Sequence, residues 1–293
     1  VSKVSFEMRV LITGANGQLG SEFKSLAKES VHKFIFCDVE EMDLSNKDSI
    51  IDFLNRNPVD FIISSGAYTN VDGAENDEEL AKLVNGIAPG IIAEFCKESS
   101  TRLIHISTDY VFDGEFSKPI NEDAAPNPKS VYGETKLLGE QGIEQFLDNY
   151  YIIRTSWVYS SFGKNFLKTM LRLGAEKEEL TVVSDQIGTP TYANDLANVI
   201  LSIIEEVNSG NDKPGIYHYS NEGVCSWYDF AFEIMKQSGL DCQVIPVNSD
   251  QFPTVADRPN FSVLDKSKIK QSLNIEIPHW SCSLEKALKL MSK

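Results

Sequence analysis

The chain has 293 residues, 42% hydrophobic and 24% charged, which suits one large globular domain or two that share a core and excludes a disordered chain. Its net charge of −16 argues against binding nucleic acid or an anionic membrane surface, both of which need basic patches. No apolar run approaches the roughly 20 residues that span a bilayer.

The N-terminal stretch VSKVSFEMRVLITG lacks an apolar signal segment ending at a small-residue cleavage site, so a cytoplasmic location is expected. Residues 1–7 precede Met8 and the first strand and are expected to lie outside the fold. The cysteines at 37, 96, 225, 242 and 282 and the histidines at 32, 105, 218 and 279 show no zinc or redox spacing, so buried reduced thiols and no metal are expected. His105, on an apolar strand, reads as a satisfied core residue.

RVLIT (9–13) predicts a strand, followed by a glycine-rich turn and an amphipathic helix from Gln18 to about Ser30. KFIFC (33–37) is the second strand. SNKDSIIDFLNRN (45–57) has helical spacing, with Ser45 as its predicted cap. DFIISSG (60–66) is the third strand. In the helical region from about Asp77 to Ser99, Pro89 and the glycines at 86 and 90 predict a bend or a break. RLIHIS (102–107) is the fourth strand. A polar loop with Pro119, Pro126 and Pro128 leads to a helix over 131–147 and a fifth strand, YYIIRTS (150–156). This alternation implies βαβ units and a doubly wound parallel sheet, whose ligands sit at the carboxyl ends of its strands.

Beyond residue 156 the rhythm loosens. LTVVSD (180–185) is expected to return to the sheet, and NDLANVILSIIEEV (194–207) to form a helix. GIYHYS (215–220) and CQVIPV (242–247) read as strands of a smaller lobe. The expected division is a dinucleotide-binding domain over 8–155 with returning segments at about 179–207, and a substrate lobe from 156–178 and 208–293.

LITGANGQLGSEF places Gly14, Gly17 and Gly20 between the first strand and the first helix. Glycine permits the turn and close backbone approach, and the helix start offers N–H groups to a pyrophosphate. Asn16, Gln18 and Leu19 share that turn and its cofactor assignment. Asp38 ends the second strand, where a carboxylate can bind adenosine ribose hydroxyls and repels a 2′-phosphate. No arginine stands in the ten residues after Asp38, so electrostatics lean to NADH over NADPH. Asp43 is placed either to approach the adenine edge or to flank the next helix.

VYGETK puts Tyr132 and Lys136 at i, i+4 near a helix start, on one face. A nearby ammonium is expected to lower the phenol's pKa and let Tyr132 act as acid or base near neutral pH. Ser107 and Thr108, at the end of the fourth strand, are expected to face a nicotinamide, where a hydroxyl can donate to a substrate carbonyl.

The glycine turn, the Ser/Thr pair and Y-x-x-x-K together resemble an extended short-chain dehydrogenase/reductase with a Rossmann-like fold. AYTNVDGAE (67–75), STDYVFDG (107–114), YGETKLLGE (132–140), RTSWVY (154–159), NFLKTML (165–171), DQIGTPT (185–191) and RPNFSVLD (258–265) are similar to the dTDP-4-dehydrorhamnose reductase family, from Met8 to about Met291. The resemblance implies reduction of a nucleotide-sugar ketone by NADH or NADPH in a monomer or homodimer. It implies Thr108, Tyr132 and Lys136 as the catalytic set. It puts Ala67, Tyr68 and Thr69 along the cofactor, and Asp109 and Tyr110 beside the sugar. Trp157 would pack near the deoxysugar or nucleotide and Arg258 would pair with the diphosphate, with Asn165 and Gln186 as further substrate contacts.

Two departures stand out. The family's tail motif R-P-x-N-S reads Arg258-Pro259-Asn260-Phe261-Ser262, which alters the Asn–Ser contact. Glu22 matches one glutamate of a magnesium-bridged dimer found in some relatives, but Asn194 stands at another such position, so no metal-bridged dimer is expected. Alternatives are a nucleotide-sugar epimerase, a dehydratase, and a non-catalytic subunit resembling the methionine adenosyltransferase β subunit. A dehydratase carries Asp-Glu after the catalytic Thr, where this chain has Asp109-Tyr110.

Overall fold

The computed structural model describes residues 6–291; most of the expected N-terminal extension, residues 1–5, lies outside the described residues. Phe6 and Glu7 do not stand outside the fold as expected. Asn208 donates to the Phe6 carbonyl (2.8 Å), and Lys33 pairs with Glu7 (2.7 Å).

The elements in chain order are β1 (Arg9–Thr13), α1 (Gln18–Leu26), β2 (Lys33–Cys37), α2 (Lys47–Arg56), β3 (Phe61–Ser64), α3 (Val71–Ala74) and α4 (Glu78–Ala81). A π-helical segment (Lys82–Ile87) then runs into α5 (Ala88–Ser99), followed by β4 (Arg102–Thr108), α6 (Val131–Phe146), β5 (Tyr150–Thr155), β6 (Val158–Tyr159) and α7 (Phe166–Glu176). The remainder is β7 (Glu179–Val183), β8 (Ile187–Gly188), β9 (Thr191–Tyr192), α8 (Ala193–Asn208), β10 (Gly215–His218), β11 (Cys225–Ser226), α9 (Trp227–Ser238), β12 (Gln243–Val247), α10 (Ser267–Leu273) and α11 (Trp280–Met291).

Six strands form one all-parallel sheet in the order β10-β5-β4-β3-β1-β2. The chain winds outward in both directions from the β1/β3 boundary, so the carboxyl ends of these two strands open a crevice there. Val10, Ile12, Ile63 and Ile104 on one face pack with α1 and α8, through Phe23, Leu196 and Ile200. Leu11, Ile62 and Leu103 on the other face pack with α2, α5 and α6, through Ile50, Ile92 and Ile143.

Two strands change places relative to the sequence reading. β7 does not return to the sheet; it pairs in parallel with β12, Leu180 opposite Val244. Its burial alternates, with Leu180 and Val182 inside and Glu179 and Thr181 exposed, which suits a ladder covered on one side and not a sheet covered on both. β10, read as a small-lobe strand, is the sixth strand of the main sheet, with Ile216 opposite Ile152. Of the expected returning segments, α8 does pack on the main sheet. The small lobe gathers Tyr159, Leu167, Phe230, Ile234 and Leu284 into a core of its own.

Local signals explain the ends. The cap of α2 is Asn46, not Ser45: its side chain accepts from Asp48 N (2.9 Å) and Ser49 N (3.2 Å), while Ser45 Oγ donates to Asp43. Ser130 caps α6 by accepting from Gly133 N (3.2 Å). The bend foreseen at Pro89 is absorbed by the π-helical segment. The proline has no N–H to give and falls in the first turn of α5, so the helix continues. Among the described residues no helix is long and apolar enough to cross a membrane.

Candidate active site

A cavity of about 930 Å³ lies between the carboxyl ends of β1, β3, β4 and β5 and the small lobe. Every site residue expected from the sequence lines it except Gln186. Gln186 is buried next to β8, where Ile187 pairs with Ser226 and bridges Phe261, and that pairing keeps it within the lobe junction.

One end of the cavity is the glycine turn. Gly14 has φ +65°, and a Cβ there would come within 2.7 Å of the Gly66 Cα; a Cβ at Gly20 would come within 2.5 Å of the Gly14 carbonyl oxygen. The turn therefore closes only with glycine at both positions. Gly17 precedes α1 with no side-chain cap, leaving the first-turn N–H groups for an anion. Asp38 accepts from Asn16 N (2.7 Å) and Val39 N (2.9 Å), which fixes the tip of β2 against the turn. Asp43 accepts from both the amide and the hydroxyl of Ser45, so it flanks α2 while lining the cavity.

The stretch Ala67–Thr69 is held by a residue that sequence reasoning missed. Asn85, buried in the π-helical segment, accepts from Tyr68 N (2.8 Å) and donates to Tyr68 O (3.0 Å). The only hint was an asparagine amid helix-breaking glycine and proline in VNGIAPG.

At the other end stand Tyr132 and Lys136, one turn apart on α6. Thr108 Oγ1 donates to Asp109 (3.0 Å) and accepts from Tyr110 N (3.2 Å), and its hydroxyl neighbours the Tyr132 phenol on the cavity wall. The Tyr110 and Tyr132 rings meet edge to face at 5.5 Å. Burial raises the Tyr132 pKa; the neighbouring Thr108 hydroxyl lowers it, and Asp109 and Tyr110 raise it further. The expected lowering by Lys136 is absent. The ammonium is engaged elsewhere, donating to the Ile106 carbonyl (2.7 Å) and lying 3.1 Å from His105 Nε2. Burial pulls Lys136 down to about 8, against the opposing pull of Glu140.

Ser107 does not present its hydroxyl as expected. It donates to Glu140 (2.5 Å), whose carboxylate also holds Arg154 (2.6 and 3.0 Å). Asp109 is buried and its pKa rises to about 6, because desolvation outweighs the bond from Thr108 and the lowering influence of Ser262; its Oδ2 has no partner. Phe261, where the family's tail motif has asparagine, packs with Phe112, Ile120 and Leu264, and the Ser262 amide donates to the Ile187 carbonyl (2.8 Å). Arg258 pairs with Asp72 (3.0 Å), and its charge opposes the rise that burial gives the Tyr110 pKa, while its Nε is buried without a partner.

Trp157 takes a left-handed backbone (φ +49°) and stacks on Trp227 at 3.6 Å, across the junction of the lobes. Trp227 was not foreseen, since an aromatic at a helix start has no distinguishing pattern. Asn165 caps α7, accepting from Lys168 N (3.0 Å), and donates to Gln18 (2.9 Å), so it ties the small lobe to the glycine turn. Glu22 is buried and accepts from Ser160 (2.6 Å) and Asn194 (3.0 Å); burial raises its pKa.

Three similarities bear on this site. The Bacillus subtilis spore coat polysaccharide biosynthesis protein SpsK is 39% identical over 96% of this chain and 97% of its own. The crystal structure of a dTDP-4-dehydrorhamnose reductase from Clostridium acetobutylicum superposes with a TM-score of 0.92 at 40% identity, covering 98% of this chain and 100% of that one. The dTDP-4-dehydrorhamnose reductase of Bacillus anthracis, solved in complex with NADP, gives 0.92 at 35% identity over 97% of this chain and 100% of its own. The model of the RmlD substrate binding domain matches residues 8–293, and with that match the chain belongs to the RmlD substrate binding domain family.

Proposed function

We propose that the protein is an NAD(P)H-dependent oxidoreductase that reduces the C4 ketone of dTDP-4-dehydro-L-rhamnose to dTDP-L-rhamnose, with Tyr132 as proton donor. The observation that carries the reading is that Thr108, Tyr132 and Lys136 line one cavity with the glycine turn. The family membership and the activity named for the Clostridium and Bacillus anthracis relatives support the substrate.

The residues present fit a dinucleotide. The crowding around Gly14 and Gly20 and the uncapped start of α1 form a cradle for a pyrophosphate. Asp38 would meet the adenosine ribose and Lys136 the nicotinamide ribose. When bound, the reduced nicotinamide supplies the hydride.

Tyr132, with its pKa raised, holds its proton at neutral pH and delivers it to the ketone oxygen. Thr108 turns its hydroxyl from Asp109 to the same oxygen and stabilises the developing alkoxide. Asp109 and Tyr110 meet the sugar, Trp157 the deoxysugar face, and Arg258 exchanges Asp72 for the diphosphate. Tyr110 stands where a dehydratase carries glutamate, which favours reduction over elimination.

The test is to mix the protein with the keto-sugar and NADH or NADPH and follow the nicotinamide absorbance. Oxidation of at least one cofactor is expected. No oxidation of either would overturn the reductase reading in favour of an epimerase or a non-catalytic subunit.

A further inference from the structure

His105 satisfies its core position, and it also does something a core residue need not do. Its ring is buried in β4, with Nδ1 3.1 Å from Ser64 Oγ on β3 and Nε2 3.1 Å from Lys136 Nζ on α6. A lysine ammonium has three donors and no acceptor. His105 Nε2 is therefore the acceptor, the ring proton sits on Nδ1, and Nδ1–H donates to Ser64. Burial, and then the Lys136 charge, keep the ring neutral, as that tautomer requires.

The Ile106 carbonyl, one residue along β4, accepts a second Lys136 proton at 2.7 Å. A lysine is a point charge on a flexible four-carbon stem. Once two of its three tetrahedral N–H directions are fixed, the third follows, and Lys136 has the cavity left to face.

We propose that His105 is a positioning residue for Lys136: as a neutral acceptor backed by Ser64, it fixes the direction of the one Lys136 N–H left for the reaction. The proposal rests on the reductase reading above and deepens it. His105 touches neither substrate nor cofactor; it acts through Lys136.

Two variants separate positioning from packing. His105→Phe keeps the ring shape and removes both nitrogens. His105→Gln restores an amide oxygen where Nε2 stood. Both are measured for kcat, keto-sugar KM and melting temperature. His105→Phe is expected to lose about 10- to 100-fold in kcat, the scale of a misplaced catalytic group, with KM within about 3-fold of the starting protein. His105→Gln should recover kcat to within about 3-fold. Unchanged kcat in His105→Phe, or a folded His105→Gln as slow as His105→Phe, overturns the proposal.

A readout without turnover keeps this independent of the reductase reading. The Lys136 side chain is followed by NMR in lysine-labelled protein alone. Glu140 on its own helix and His105 on β4 are the titratable groups acting on it. Loss of the acceptor should make Lys136 titrate at lower pH in His105→Phe and not in His105→Gln; identical titration in all three proteins overturns the proposal. If the starting protein oxidises neither cofactor, the reductase reading falls, and the NMR comparison still decides whether His105 holds Lys136.

Discussion

Ser107 and Thr108 are neighbours at the end of β4, yet they belong to two different regions. Ser107 joins Glu140 and Arg154 in a buried cluster where the carboxylate accepts from both partners and Arg154 also lies over the Phe112 ring at 5.1 Å. Thr108 joins Asp109, Tyr110 and Tyr132, where Asp109 Oδ2 and the nearby Arg258 Nε are buried without partners. Successive strand residues point to opposite faces, so one polar run can serve both regions. Most of the first region's hydrogen bonds are complete within the chain. The second is left short of partners at a cavity, where a ligand can supply them. On the proposed mechanism, stability and chemistry fall to adjacent residues.

If that division is right, substitutions in the two regions fail differently. The largest effect belongs to Glu140→Ala. It strands Arg154 as an uncompensated buried charge and should cost about 3–5 kcal/mol in urea unfolding. A loss under about 1 kcal/mol would mean that the cluster is not the structural one. Asp109 comes next, through pH. Its native pKa of about 6 exceeds the unfolded value of 3.8, so the native state binds the proton more tightly. Its contribution is fully favourable below pH 3.8 and is lost as pH rises through about 6. That is a fall of about 3 kcal/mol, an order-of-magnitude figure at about 1.4 kcal/mol per pH unit. Glu22 and Glu122 also have raised pKa values, so the measurement is the difference between the starting protein and Asp109→Asn across this window. Equal pH slopes in the two proteins would remove Asp109 from the account.

The parallel sheet was legible because its strands are short apolar runs set between amphipathic helices, a pattern imposed by helices on both faces. The exchange of β7 and β10 was not legible, because membership of a sheet is decided by partners far away in the chain. The alternating burial of Glu179 to Val182 belongs to a one-sided ladder, and the apolar run alone does not name its partner strand. At the site, the glycine turn and Tyr132–Lys136 were visible as spacings. Asn85, Trp227 and the role of His105 were not, since each acts through a contact between distant elements. The expected effect of Lys136 on Tyr132 failed for the same reason. The i, i+4 spacing places two side chains on one face but does not say that β4 holds the ammonium.

The division is tested next from the catalytic side. Tyr132→Phe removes the proposed proton donor and keeps the ring, so kcat should fall about 10²-fold or more, equivalent to about 2.7 kcal/mol, with little change in unfolding. A near-normal rate would sink the role proposed for Tyr132.

The smallest effect is the sharpest test, because Ser107→Ala lies one residue from Thr108 and should leave the chemistry alone. The variant removes one hydrogen bond to the Glu140 carboxylate, whose two oxygens keep Arg154. A bond to a charged group contributes about 1.5–3 kcal/mol, and the remaining partners keep the loss near about 1.5. In urea unfolding that loss should appear without a change in kcat beyond about 2-fold, equivalent to about 0.4 kcal/mol. Thr108→Ala should show the reverse, with kcat lowered and unfolding little changed. If Ser107→Ala instead slowed turnover as much as Thr108→Ala, its hydroxyl would have to reach the substrate, and the boundary drawn between the two residues would be misplaced.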